Sequence, residues 1–185
     1  MKLRRLFLTA VMVLTAAAMT GCGGNDDKDK TESDAQANVS LSDITEAVKK
    51  AYGEDYIPDM EYDDIFIKET LGLDEDDYEQ IVAEGPLVSF HIDNYIAVKA
   101  KSGKGDLVEQ KLNAYRDYLI NDTMMYPVNA VKIQASKVVR HGDYVFFICL
   151  GTVDTDTQDK GDEAILEKAQ ENNKLAVDAI NKFFE

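Results

Sequence analysis

The chain has 185 residues, with 20 Lys and Arg against 35 Asp and Glu, a formal net charge of −15. Such an acidic balance excludes a reader of nucleic-acid phosphates, which needs a basic stripe, and it opposes direct contact with anionic lipid headgroups. Its simplest consequence is solubility through like-charge repulsion, with cation or cationic-partner binding as the alternative.

The first element is an export signal. Lys2, Arg4 and Arg5 precede a mostly apolar run from Leu6 to Met19, which at roughly fourteen residues is too short for the ~20 that a membrane-spanning helix needs. Small residues, Thr20 and Gly21, then lead to Cys22. Met19-Thr20-Gly21-Cys22 resembles the lipobox of bacterial lipoproteins, with Met19 standing where leucine is commonest. The resemblance implies that the Cys22 sulfur receives a diacylglyceryl group and that cleavage makes Cys22 the new N-terminus. The alternative is a plain secreted protein with a chance cysteine. Residues 1–21 are thus expected to be a lipoprotein signal peptide. Residues 22–38 are expected to be a lipidated cysteine followed by a disordered acidic linker.

Loss of the signal removes three positive charges and no negative one, taking the net charge from −15 to −18. The linker, "GGNDDKDKTESDAQAN", has no aromatic or branched aliphatic side chain and cannot bury enough surface to offset its ordering entropy. As a flexible chain it spans about 20–24 Å. The expected membrane contact is therefore through the lipid on Cys22, since two or three acyl chains anchor firmly where one does not. The expected location is the outer face of the cell membrane. Residues 39–185 are long enough for one globular domain.

Within that domain, "VSLSDITEAVKKAYG" predicts a helix capped by Ser40, with Asp43 near its positive end and Val39 stapled onto Ile44. Leu41, Ile44, Val48 and Tyr52 share one face, and Gly53 is its stop. Residues 59–84 predict two short helices, the first ended by Gly72 and the second capped by Asp74, although "IFI" reads equally well as a strand. "LVSFHIDNYIAVKAK" predicts a hairpin turning at Asp93-Asn94. "GKGDLVEQKLNAYRDYLINDT" predicts a helix with Asp106 and Glu109 as a D-x-x-E cap. A helical turn follows near Pro127, then a second hairpin, Ser136 to Arg140 and Tyr144 to Leu150, turning at His141-Gly142-Asp143. The unbroken apolar character of its last strand implies burial on both faces. Asp162 to Phe184 predicts a closing helix with an Asp178–Lys182 pair at favourable spacing.

Strand, strand, helix occurs twice without evident internal sequence similarity. The predicted fold class is α+β: a two-layer sandwich of about four antiparallel strands, from two hairpins, with helices packed on one face. The segments "DITEAVKKAYG", "YIAVKAK", "DLVEQKL" and "GDYVFFICLG", together with the Tyr126-Pro127 pair, resemble a family of small Gram-positive lipoproteins catalogued as domain of unknown function 4358. The resemblance covers roughly residues 43–151. It implies a location and a fold, and no reaction, cofactor or functional residue.

Chemistry-bearing residues are sparse. Cys149 lies in the apolar run "YVFFICLG" with no second thiol to pair with once Cys22 is acylated, and reads as a small buried hydrophobe. His91 and His141 are the only imidazoles. Ser89, His91 and Asp93 alternate as on one strand face, a superficial triad, but residues two apart on a strand are about 6.6 Å apart by rise, too far for a nucleophile–base hydrogen bond. His91 reads instead as a half-buried strand residue and His141 as a turn residue. Asp154 to Ile165 begins like a calcium loop, then puts Asp159 where the turn glycine belongs and Ile165 where the bidentate glutamate belongs. The acidic run Asp74 to Asp77 reads as favouring a helix N-terminus. No motif for a metal, nucleotide or acyl-transfer site occurs, so no catalytic, cofactor-binding or metal-binding residue is nominated, and Cys22 is the single nominated site. The expectation is a non-catalytic surface module that binds a protein or cell-wall partner. The alternative is an envelope hydrolase using a carboxylate pair, for which two carboxyls about 5–9.5 Å apart in a cleft would speak.

Overall fold

Two strands that are apolar on both faces set the centre of the fold in a computed structural model that describes residues 39–88, 90–121 and 124–185. The predicted signal peptide, Cys22 and the linker lie outside the described residues, as do Ser89, Asp122 and Thr123. The central strands are β3 (Asn94–Ala100) and β5 (Tyr144–Cys149), antiparallel, with Asn94 opposite Cys149 and Lys99 opposite Tyr144. Their side chains alternate between two separate cores. Ile96, Val98, Val145, Phe147 and Cys149 enter one, and Tyr95, Ala97, Tyr144, Phe146 and Ile148 enter the other. A sheet buried on both faces requires cover on both. Helix α2 (Gly105–Asn121) supplies Val108, Leu112 and Tyr115 to the first core. Helices α1 (Leu41–Tyr52) and α5 (Asp162–Asn181) close the second with Leu41, Ile44, Val48, Ala176 and Ile180.

The α+β class with one antiparallel sheet is as expected, and two finer features differ. The sheet has five strands in the order β1-β2-β3-β5-β4, not four, and the helices cover both faces, not one. The second difference follows from β5, whose burial on both faces cannot coexist with single-sided cover. The first arises before β3. The partner of β3 is β2 (Tyr78–Gly85), from a stretch expected to be helical, and β2 in turn pairs with the short β1 (Met60–Glu61). Residues 86–93 connect β2 to β3, so the expected turn at Asp93-Asn94 does not form. Asp93 is instead drawn inward by a buried lysine. Glu, Gln and Ala in "YEQIVAEG" favour a helix locally, and cross-strand pairing overrides that preference. Before it, a π-helical turn, Phe66–Thr70, does end near Gly72.

The remaining elements follow the sequence closely. Ser40 accepts the Asp43 amide at 3.2 Å, Val39 packs on the core that contains Ile44, and Gly53, at φ +58°, ends α1 in the left-handed region that glycine tolerates. Strand β4 (Lys137–His141) and β5 form the second hairpin as predicted. Helix α3 (Pro127–Lys132) opens with proline at its first turn. Two predicted side-chain pairings are replaced. Asp106 and Glu109 reach Arg140 of β4, at 2.6 and 3.2 Å, while the carboxylate of Asp143 accepts the amides of Gly103 and Gly105 at the start of α2. Asp178 forms its ion pair with Lys174, at 2.6 Å, in place of the expected Lys182.

One buried amide joins the layers. Asn173 of α5, fully withdrawn from solvent, accepts the Leu150 amide at 2.8 Å and donates to the Ala135 carbonyl at 2.9 Å. Beside it, Tyr52 of α1 donates to the Asn172 carbonyl at 2.5 Å.

Candidate functional site

A cleft of about 550 Å³ opens at the end of the sheet where β3 begins. Its floor is aromatic. Tyr62 stacks on Phe66 with centroids 3.8 Å apart, Phe66 meets the edge of Tyr115, and Tyr115 meets the edge of Phe147 in the core. Tyr62 is held from two sides: its hydroxyl donates to Asn94 Oδ1, and Gly85 lies against its ring so closely that a Cβ there would overlap it. Burial pushes the Tyr62 hydroxyl up to about 12, so it is a neutral donor throughout the ordinary pH range.

The walls come from the 86–93 connection, the last turns of α2 and the start of α3. Pro86, His91 and Ile92 form one side, Leu119, Met124 and Met125 another, with Tyr126 and Asn129 across the mouth. Asn129 Nδ2 donates to the Phe90 carbonyl at 2.7 Å, tying α3 to the connection. Asn94 Nδ2 donates to the Ile92 carbonyl at 3.0 Å. Of the lining residues Met124 and Tyr126 are exposed, and Leu87 and Phe90, exposed as well, belong to the connection that supplies Pro86, His91 and Ile92. Among the described residues that line the cleft none is Asp, Glu, Lys or Arg, and His91 contributes an imidazole.

Behind His91 lies a buried ion pair. Asp93 is 0 % exposed and Lys132 5 %, and Lys132 Nζ stands 2.6 Å from Asp93 Oδ2. Burial pushes the Asp93 carboxyl above the usual carboxylate range, opposed by Lys132 and by the Gly151 backbone amide. His91 Nδ1 is 3.9 Å from the same Oδ2, beyond hydrogen-bond reach, and the imidazole lies against the Phe90 ring. The structure thus brings His91 and Asp93 near one another in a loop, not on a strand, with Ser89 outside the described residues.

The other residues singled out by sequence go elsewhere. His141 ends β4, bonds Asn181 Oδ1 at 3.0 Å and stacks on Phe184, at the end of β5 opposite the cleft. Cys149 is fully buried, and desolvation pushes its thiol up to about 12. Asp154 caps α4 (Thr155–Gln158), and the Thr157 hydroxyl at 2.9 Å together with the Thr157 amide at 2.8 Å lowers its carboxyl. The acidic run does not start a helix. Asp74 to Asp77 form a turn before β2 in which Asp77 receives Lys111 at 2.6 Å and Lys104 at 3.0 Å. Sequence reasoning missed Lys132 and the tyrosines of the cleft; the signal present was the "MMYP" run, too apolar for an ordinary surface connection.

Fold and cleft together define an α+β domain whose sheet is helix-covered on both faces and which carries an aromatic cleft at a sheet end. The chain belongs to the family described as Domain of unknown function (DUF4358), whose model matches residues 42–150 and so includes every residue lining the cleft. No curated protein and no solved structure matches it.

Proposed function

We propose that this protein is a lipid-anchored, extracytoplasmic module that binds a protein or cell-wall partner in the cleft and catalyses no reaction. The observation that carries this reading is the aromatic lining of the cleft, with no Asp, Glu, Lys or Arg among its described residues and with Met124 and Tyr126 exposed. Contiguous exposed apolar surface marks interaction sites. A hydrolase of the two-acid kind would need a pair of carboxyls facing one another across the cleft, and the carboxylate behind its wall, Asp93, is occupied by Lys132. The lipobox at Met19 to Cys22 and the net charge of −15 support the placement: the lipid holds the domain to the membrane while its own charge keeps the body off the headgroups.

Two measurements test this. Cys22→Ala should abolish acylation detected by mass spectrometry and release protein to the medium; persistent membrane retention would overturn the anchor. Incubation of the pure protein with peptidoglycan fragments should leave them intact, and turnover would overturn the binding reading in favour of the hydrolase.

A further inference from the structure

Two buried side chains bring unspent polar atoms to the cleft. Tyr115 is 5 % exposed and Asn129 8 %, and both line it. The Tyr115 ring is fixed between Phe66 and Phe147, and its hydroxyl has no hydrogen-bond partner among the described residues. Asn129 Nδ2 is committed to the Phe90 carbonyl at 2.7 Å. That acceptor demands a donor, so the orientation of the amide is settled and Oδ1 is the end without a partner among the described residues. Among those residues the side-chain polar atoms that lack both a partner and access to solvent are Asp93 Oδ1 and the Tyr95 hydroxyl. The Tyr115 hydroxyl and Asn129 Oδ1 are therefore open to solvent, and the cleft is the opening that both residues line.

A donor and an acceptor in one cleft call for a ligand that carries the complementary pair. The Tyr115 hydroxyl keeps its proton throughout the ordinary pH range, because burial pushes it well above the usual phenol value. Asn129 Oδ1 can only accept. A secondary amide answers both, with a carbonyl for Tyr115 and an N–H for Asn129. It also spreads the two functions over separate atoms, as α2 and α3 do, whereas a lone hydroxyl offers both at one oxygen. Ile92, Leu119 and Met125 give an acyl methyl an apolar wall. A ligand that covered the site without bonding these atoms would leave a donor and an acceptor unsatisfied.

The shape favours a ring over a strand. A concave cleft of about 550 Å³ has the size that takes a small molecule, whereas an extended peptide is held along a sheet edge or an open groove. Tyr126 presents an exposed ring at the mouth, apolar on its face and polar at its tip, which matches the C–H face and hydroxyl rim of a pyranose. His91 adds an imidazole that can bond a further hydroxyl. Resting on the binding-module reading, we propose that the cleft binds the acetamido group of an N-acetylated sugar, its carbonyl accepting from the Tyr115 hydroxyl and its N–H donating to Asn129 Oδ1, with the sugar ring against Tyr126.

The test uses the mature chain with ¹³C-methyl methionine, followed by NMR, and the probes are chitobiose, cellobiose and N-acetylalanine methylamide. Cellobiose keeps the rings and hydroxyls without the acetamido groups, and the methylamide keeps the amide without the sugar. Chitobiose should shift the Met125 methyl at millimolar concentration, and each of the other two should bind at least tenfold more weakly. Tyr115→Phe, which keeps the ring in its packing, should weaken chitobiose at least fivefold while the methyl spectrum without ligand stays that of the parent. Equal binding of cellobiose or of the methylamide would overturn the proposal, as would no shift with chitobiose, or full-strength binding by Tyr115→Phe. Each of these leaves the binding-module reading standing. Cleavage of chitobiose, read by mass spectrometry, would instead overturn that reading and this inference with it.

Discussion

Lys132 Nζ and Asp93 Oδ2 lie 2.6 Å apart, with both side chains almost entirely out of water. Removing one partner leaves the other charged and unpaired in the interior, which costs about 3–5 kcal/mol, whereas replacing both by uncharged groups is far less harmful. Asp93→Asn and Lys132→Met should each lower the urea midpoint strongly, and the double variant should recover much of the loss. Simple additivity of the two single effects would show that the pair is not coupled.

Gly85 and Tyr62 make a second coupled pair. A methyl at residue 85 runs into the Tyr62 ring, so Gly85→Ala must move that ring off its bond to Asn94. Overpacking of this kind costs about 1–3 kcal/mol. Thermal unfolding should show the loss in the parent protein and a much smaller one when Tyr62 is already leucine. Equal losses in the two backgrounds would remove Tyr62 as the cause.

Stability should fall in acid through Asp77. The hydrogen bond from Lys111, aided by the Asp74 amide and Lys104, holds its carboxyl well below the usual carboxylate range. The unfolded chain therefore binds this proton more readily than the folded one. The resulting stabilisation is complete above the ordinary carboxylate pKa of ~3.9 and is lost as pH falls toward the folded value. Denaturant midpoints between pH 6 and pH 2.5 should drop more steeply for the parent protein than for Asp77→Asn; parallel curves would contradict the assignment.

Cys149 should be silent in the native state. With the thiol fully buried and raised to about 12, the reactive thiolate is scarce and unreachable at pH 8. A disulfide reagent such as dithionitrobenzoate should label it only after denaturant is added. Rapid native labelling would mean that β5 opens.

Much of this fold can be read in the chain where one side-chain period runs without competition. Helix α1 shows its cap, its staple and its stop in order, and the β4–β5 hairpin shows two apolar runs about His141-Gly142-Asp143. Strand β2 could not be read this way, because Glu79, Gln80, Ala83 and Glu84 suit a helix and only pairing with β3 makes them a strand. The same error displaced the first hairpin, since Asp93-Asn94 has turn chemistry but Asp93 is held by a lysine 39 residues away in sequence. The cleft was hidden for a related reason. It is assembled from residue 62, the 86–94 stretch, the end of α2 and α3, and no local pattern links side chains that meet only after the sheet has formed.

The family match stops at residue 150, yet the amide of Asn173 completes the backbone bonding of Leu150 from beyond that limit. The stretch by which relatives are recognised is thus shorter than the unit that must fold. A gene trimmed to the recognisable segment would encode a sheet stripped of α5, with the core of Tyr144, Phe146 and Ile148 left to α1 alone and the carbonyl of Ala135 abandoned. Its product should collect in inclusion bodies, while the version extended to residue 185 should stay in solution.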